Sequence, residues 1–289
     1  MTDMLYNDIR SERAELSLNR ACEALGVSKS WCNTGIKTTL YKDKELPHQI
    51  RDIALEFPRY GYRRITKQLQ RNGRKVNHKR VLKIMRIQGL TRKIKRFRIS
   101  TTDSKHGLPI YPNRVKNIIV TRLNQVWVSD ITYIRLLRGF AYLAVIMDLF
   151  SRKCIGWQLS HNIDAQLCTD ALNKALQNRQ GTNLSDLIHH SDQGVQYASN
   201  EYTGLLEENG IRISMSRRGN PYDNAYAESL IKTIKYDEVY MTEYESFEDA
   251  YNNIEKFLDE VYNKKRLHSS IGYLPPAEFE QQALKEVTG

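Results

Sequence analysis

The sequence predicts an α/β protein, a sheet flanked by helices and preceded by a basic, all-α, helix-turn-helix-like region. Hydrophobic positions recur at helical spacing in the first third of the chain and alternate in strand fashion beyond Pro112. Charge divides near the same place. Residues 1–100 hold 24 Lys and Arg against 9 Asp and Glu, whereas the remainder holds 20 against 24. A length of 289 residues is about two domains' worth of chain, enough to bury a core in each.

Taken in order, residues 1–45 read as a helical, helix-turn-helix-like segment. Leu16–Leu25 forms one helix, Gly26 ends it, and Ser28 caps a second whose first turn carries Lys29 and Ser30. That arrangement presents residues to a DNA major groove, and it equally describes a helical hairpin packing on Ala21, Leu25 and Trp31. Residues 46–98 form a basic helical domain. Ile65, Leu69, Val81, Leu82 and Met85 make its apolar stripe, while Arg63, Arg64, Lys67, Arg71, Lys79, Arg80, Lys83 and Arg86 stay outside. Like charges at helical spacing repel, so this face calls for a polyanion, and double-stranded DNA is the expected partner. Residues 99–118, polar and poor in hydrophobic anchors, read as a linker.

Residues 119–280 carry the sheet. Gln125–Ile134, Phe140–Met147 and Lys153–Leu159 are rich in β-branched and aromatic residues, with turns at Arg138-Gly139 and Ser151-Arg152. Asp164 caps a helix to about Gln177, Leu187–His189 is a short buried strand, Tyr202–Glu208 a helix and Ile211–Met215 a fifth strand. A helix opens at Asp223 and runs past Lys235, and a last long one covers Phe247–Tyr262.

Several classes are excluded. The longest apolar run, Phe140–Met147, falls far short of the roughly 20 residues of a membrane helix, and Met1–Arg10 lacks the pattern of a secretory signal. A cytoplasmic, nucleoid-associated protein without a membrane partner is expected. Cys22, Cys32, Cys154 and Cys168 contain no C-x-x-C pair, which argues for reduced thiols and against a disulfide framework or a Cys-rich zinc site.

Three carboxylates stand out. Asp130 shares a strand face with Val126, Val128, Thr132 and Ile134, so a charge sits among apolar neighbours and needs a partner or a cation. Asp192 follows a short strand where Gly194 turns the chain, the kind of place where sites collect in α/β domains, although an aspartate there also serves as a turn residue. Glu228 shares a helix face with Lys232 and Lys235; it is either half of a surface salt bridge or a metal carboxylate flanked by phosphate-binding lysines. Between Asp192 and Glu228 lie 35 residues.

The runs Tyr60-Gly-Tyr-Arg-Arg-Ile65, Val76-Asn-His-Lys-Arg-Val81, Trp127-Val-Ser-Asp-Ile-Thr-Tyr-Ile134, Asp148-Leu-Phe-Ser-Arg-Lys153, His190-Ser-Asp-Gln-Gly-Val-Gln-Tyr197, Ser214-Met-Ser-Arg-Arg-Gly-Asn-Pro-Tyr-Asp-Asn-Ala225 and Tyr262-Asn-Lys-Lys-Arg-Leu-His-Ser-Ser270 carry a resemblance. From about Tyr60 to Pro276 the chain resembles insertion-sequence transposases with a retroviral-integrase-like core, most closely the downstream-frame product of the insertion-sequence-three family. The resemblance implies a ribonuclease-H-like mixed sheet, with catalytic and metal-binding Asp130, Asp192 and Glu228 at the family's D-D-35-E spacing. It also implies metal-dependent strand cleavage and transfer at terminal inverted repeats. Three carboxylates suit two Mg2+ or Mn2+ ions, since hard oxygen ligands favour those metals. His189 and His190 lack further ligands at zinc spacing.

The resemblance further implies that an upstream-frame helix-turn-helix and coiled-coil protein is joined to this frame by ribosomal frameshifting, or partners it, and that at least a dimer assembles on DNA. No leucine heptads precede Leu16, so a dimerising segment comes from elsewhere. Arg217, Arg218, Lys232 and Lys235 join the basic helices as candidate DNA contacts. Asn224 is either an N-cap or an accessory group beside Glu228, and Arg266 and His268 either reach the site or DNA or make structural hydrogen bonds. Trp127 and Trp157 read as sheet core. Two other classes fit the same features: a DNA-binding regulator without catalysis, and a ribonuclease-H-like nuclease.

Overall fold

A computed structural model describes residues 43, 45–91, 107–217 and 223–288. The helix-turn-helix reading of residues 1–45 falls almost wholly outside them, as do residues 92–106 and Arg218. Three helices form the basic front: α1 (Glu45–Glu56), α2 (Tyr62–Arg71) and α3 (His78–Ile87). Their core gathers Leu46, Ile50, Ile53, Ile65, Leu69, Val81 and Met85. Ile84 is buried in the place expected for Leu82, which is only half-buried. Gly73, with φ of 82°, ends α2 in a left-handed turn, and the Asn77 side chain caps α3 by accepting from the Lys79 N–H at 2.8 Å.

The second unit is a five-stranded mixed sheet in the order β3-β2-β1-β4-β5, made of β1 (Val126–Arg135), β2 (Phe140–Asp148), β3 (Cys154–Ser160), β4 (Ile188–Ser191) and β5 (Arg212–Met215). The first three form an antiparallel meander; β4 and β5 add in parallel. Alternation along β1 sends Val126, Val128 and Ile134 to one face and Trp127 and Ile131 to the other. Helix α4 (Ala165–Asn178), the single turn α5 (Val195–Ala198) and α6 (Asn200–Glu208) cover the Trp127 face. Asp164 caps α4 as its sequence predicts, accepting from Leu167 N–H at 3.0 Å. Gly156 of β3 lets α4 approach closely: a Cβ there would lie 2.8 Å from Ala175 Cβ.

The Val128 face is covered by α7 (Ala225–Ile234) and α8 (Phe247–Lys256). Each runs on into a wider π-helical turn, Lys235–Val239 and Phe257–Tyr262, so the helices expected to pass Lys235 and reach Tyr262 do so with a changed pitch. Trp127 and Trp157 are buried core residues, and Cys154 and Cys168 are buried free thiols. Two features depart from the sequence reading. Residues from Leu108 to Val120, assigned mostly to the linker, lie along the sheet domain with Val115, Ile118 and Val120 packed on its core. A further helix, α9 (Pro276–Thr288), ends the described chain.

The two units are joined through Leu267, which is fully buried in the core of the front helices. Its N–H donates to the Tyr60 hydroxyl at 2.6 Å and its carbonyl accepts from Arg64 Nε at 3.1 Å. Arg59 Nε donates to the Tyr236 carbonyl at 3.0 Å, and Arg71 pairs with Glu278 at 2.6 Å. Among the described residues no helix is long and apolar enough to cross a membrane.

Candidate active site

Strand pairing positions the first two carboxylates. β1 and β4 run parallel with Val126 opposite Ile188, Trp127 opposite His189 and Val128 opposite His190. Asp130 lies two residues further along β1, and Asp192 follows directly on the end of β4, two residues past His190. Helix α7 lies over the Val128 face, held by Ala227, Leu230, Ile231 and Ile234, and carries Glu228 close enough for its charge to act on Asp130.

Electrostatics records the convergence. Burial pushes the Asp130 carboxyl up to about 8, and the charges of Asp192 and then Glu228 add to the rise, against a hydrogen bond from Ile131 N–H and the nearby Lys235. Burial also raises Glu228 and lowers Lys235, whose ammonium lies 4.0 Å from the Tyr133 ring centroid. Asp130 is more deeply buried than Glu228, which is exposed at the surface of its helix; oxygen donors of this kind suit a hard divalent cation. The aspartates are turned toward their own backbone: Asp130 Oδ1 accepts from Ile131 N–H and Asp192 Oδ1 from Gly194 N–H, each at 2.9 Å. Gly194 permits that close approach, since a Cβ there would lie 3.0 Å from Asp192 Oδ1. Among the described residues no three His, Cys, Asp or Glu stand together as a group that could hold a metal ion.

The floor of the site is neutral. His190 bonds Ser214 Oγ through Nδ1 at 2.8 Å and the Asp223 carbonyl through Nε2 at 3.0 Å, tying β4, β5 and the start of α7 together, and burial lowers its pKa. His189, buried against the Tyr202 hydroxyl at 2.9 Å, is lowered by burial to about 3. Asn224 occupies the N-cap position of α7 but makes no capping bond; its Nδ2 donates to the Ser129 carbonyl at 3.1 Å, which fixes the helix start to β1. Arg217 pairs with Asp223 at 3.2 Å. Among the described residues no ion pair joins Glu228 to Lys232, and the Lys232 side chain is exposed.

The other sequence candidates divide sharply. Arg63, Lys67, Lys79 and Lys83 are exposed on the outer face of α2 and α3, and Arg80 is half-buried with Asp43 3.9 Å away. Arg64 is turned inward, against Leu267 and over the Tyr60 ring, and burial lowers its pKa. Arg266 and His268 are likewise inside. Arg266 pairs with Asp237 at 2.7 Å, and His268 packs edge-on to Tyr262, so neither is presented to solvent. A cavity of about 580 Å³ is lined by Val128, His190 and Asn224 together with Lys116, Arg152 and Tyr226, the last three residues the sequence did not single out as site candidates. Arg152 stands within the Asp148–Lys153 run, the one signal that pointed to it.

Comparison with known proteins agrees with this architecture. The chain matches an integrase core domain model over residues 120–221, a second model of the same description over 209–276, and an HTH-like domain model over 41–98. It is 40% identical over 224 residues to the transposase for insertion sequence element IS904 of Lactococcus lactis subsp. lactis (strain IL1403), covering 77% of this chain and 88% of that protein. To transposase InsF for insertion sequence IS3A of Escherichia coli (strain K12) it is 34% identical over 291 residues, covering 97% of this chain and 100% of that protein. A chain from the simian T-cell lymphotropic virus intasome aligns with a TM-score of 0.47 and 16% identity, over 81% of this chain and 74% of that one. With matches running through both the helical front and the five-stranded sheet, the chain belongs to the insertion-sequence transposases that carry an integrase core domain.

Proposed function

We propose that the protein cuts and joins DNA strands at the ends of an insertion sequence, with Asp130, Asp192 and Glu228 as its catalytic and metal-holding residues. The observation that supports this reading is that Asp130 and Asp192 each follow the paired Val128 and His190 by two residues, and that the charges of Asp192 and Glu228 both act on the Asp130 carboxyl. Two divalent ions, Mg2+ or Mn2+, would be held by these oxygens and would supply charge neutralisation at the scissile phosphate. The chain's own groups do the remainder. Lys232 and Lys235 follow Glu228 at one and two helical turns and hold the phosphate backbone against the carboxylates. The buried, neutral His190 and Asn224 keep β1, β4 and α7 in fixed relation, so the three acids meet the same phosphate.

In the reaction the attacking oxygen, from water in cleavage or from a DNA 3′-hydroxyl in joining, forms a new P–O bond as the bond to the 3′ bridging oxygen breaks. The attacker's proton passes through solvent to the departing oxygen. Arg63, Lys67, Lys79, Arg80 and Lys83 grip the terminal repeats by phosphate contacts, Arg217 and Arg218 add contacts near the site, and at least two copies meet on the paired ends. The upstream-frame helix-turn-helix protein, as a fusion or a partner, would supply the dimerising segment.

The test uses labelled duplex from the flanks of the gene, with Mg2+, Mn2+ or EDTA, and compares the chain with its Asp192→Asn form and with a fusion to the upstream frame. Joined products that need both metal and Asp192 are expected. Joining by Asp192→Asn would reject the site, and metal-independent binding without cutting in every form would leave a regulator.

A further inference from the structure

The cavity of about 580 Å³ lies one layer below the carboxylates, on the same sheet face. Val128 and His190 line it, each two residues before Asp130 and Asp192, a step of about 7 Å along the strands. Its volume falls within the range of pockets that enclose small organic ligands. The wall combines two chemistries. Phe150 and Phe279, with ring centroids 5.2 Å apart, give it an aromatic side. Arg152, also in the lining, sits 4.4 Å from the centroid of Tyr226, an aromatic side chain left half exposed at 50%.

Polar groups point to an occupant. Asn224 is 95% buried, and while its Nδ2 is used by Ser129, its Oδ1 has no hydrogen-bond partner. Arg152 Nε is also buried without one, and no carboxylate among the described residues pairs with Arg152. Lys116 adds a second cation, and the cavity's acid, Asp223, is already paired with Arg217. A buried acceptor and a buried cationic donor, each lacking a partner, cost free energy unless something supplies both complements. A nucleotide would do so once the Asn224 and Arg152 side chains turn toward the cavity: its base offers an N–H to Asn224, its phosphate an anion to Arg152 and Lys116, and its flat ring a partner for Tyr226.

We infer that this cavity receives one unstacked nucleotide of the DNA strand that enters the active site. The inference rests on the proposed strand-transfer function only for the identity of that strand. Drawing a nucleotide out of the duplex into this cavity would anchor the strand one layer from the carboxylates and set which phosphate lies over Asp130 and Asp192.

The full-length protein, in EDTA so that no chemistry occurs, is bound to terminal duplexes carrying 5-iododeoxyuridine at one position at a time, irradiated, and the attached peptides identified by mass. One position should attach to Tyr226 or to the peptide containing Phe150 and Arg152. Tyr226→Ala and Arg152→Gln should each cut that yield by about fivefold or more, the scale of one missing base–aromatic stack. Overall affinity, set by many phosphate contacts, should change by less than about twofold. Attachment confined to the helical front, or yields unaltered in both variants, would overturn the inference. A second arm titrates 2-aminopurine deoxyriboside 5′-phosphate without DNA and follows its fluorescence. No saturable binding is expected; saturation abolished in Arg152→Gln would assign the cavity to a free nucleotide and reject the DNA strand. Because this readout needs neither metal nor turnover, it stands apart from the Asp192→Asn joining test.

Discussion

Arg179, at the end of α4, donates to both carboxylate oxygens of Glu280 in α9, with only 12% and 6% of the two side chains exposed. Lys153 Nζ, at 2.9 Å, and Ser151 Oγ, at 2.8 Å, complete the set around Glu280. Ser151 also bonds the buried Asp148, which accepts from the Asn124, Phe150 and Ser151 amides. The Asp148–Lys153 run is thus the anchor by which the last helix is fixed to the sheet.

Glu280→Ala leaves two cations facing a buried gap and should destabilise the fold by about 3 to 5 kcal/mol, the cost of breaking a buried pair. Acid should act through the same group. Burial alone would raise Glu280, but the hydrogen bond and charge of Arg179, with Lys153, hold it below the ordinary glutamate value. A depressed folded pKa contributes stability in full above the unfolded value and loses it as pH falls through the folded one. Thermal melts from pH 7 downward should therefore show the gap between wild type and Glu280→Gln closing below about pH 4.5.

Asp130→Asn removes a carboxyl that burial, with the charges of Asp192 and Glu228, pushes up to about 8, a raised value that costs the folded state stability wherever the unfolded carboxyl is ionised. In EDTA its melting temperature should exceed that of wild type by a few degrees, and the rise that Mg2+ gives the wild type should disappear. Calorimetry with and without Mg2+ measures both, and an unchanged response to the ion would deny Asp130 a place among its ligands.

The basic residues of α2 should separate by direction. Arg63→Ala with Lys67→Ala should weaken DNA binding and flatten its salt dependence, the slope falling by about 0.9 for each phosphate no longer neutralised. Arg64→Ala should leave the salt slope near wild type while lowering the melting temperature, because its guanidinium serves Leu267. Tyr60→Phe strips the acceptor from the buried Leu267 amide and should cost about 1 to 3 kcal/mol.

Gly156→Ala would drive a methyl into the Ala171 carbonyl and against Ala175, well inside van der Waals distance. Urea unfolding should show a drop in stability of about 1 to 3 kcal/mol, typical of overpacking.

Much of this arrangement is legible along the chain. Alternation marks β1, β2 and β3, Asp164 announces its helix, and Asp130 betrays itself as a carboxylate on an apolar strand face. What escapes depends on partners distant in sequence. Nothing local distinguishes Arg64 from Arg63; its burial requires Leu267, more than two hundred positions later. Arg266 looks equally free until Asp237 is placed beside it. Helix α9 goes unseen because its hold on the domain comes chiefly from one buried carboxylate rather than a strong apolar stripe. A wider turn such as Lys235–Val239 is invisible to a reading that assumes constant helical pitch.

Leu267 completes the core of the front helices but is made 207 residues after Tyr60. As the chain leaves the ribosome, α1 to α3 emerge with an open apolar slot beside Tyr60, and they must wait for the whole sheet domain before it is filled. The front helices therefore reach their final packing only after the sheet domain has been made, and the two matched domains mature as one.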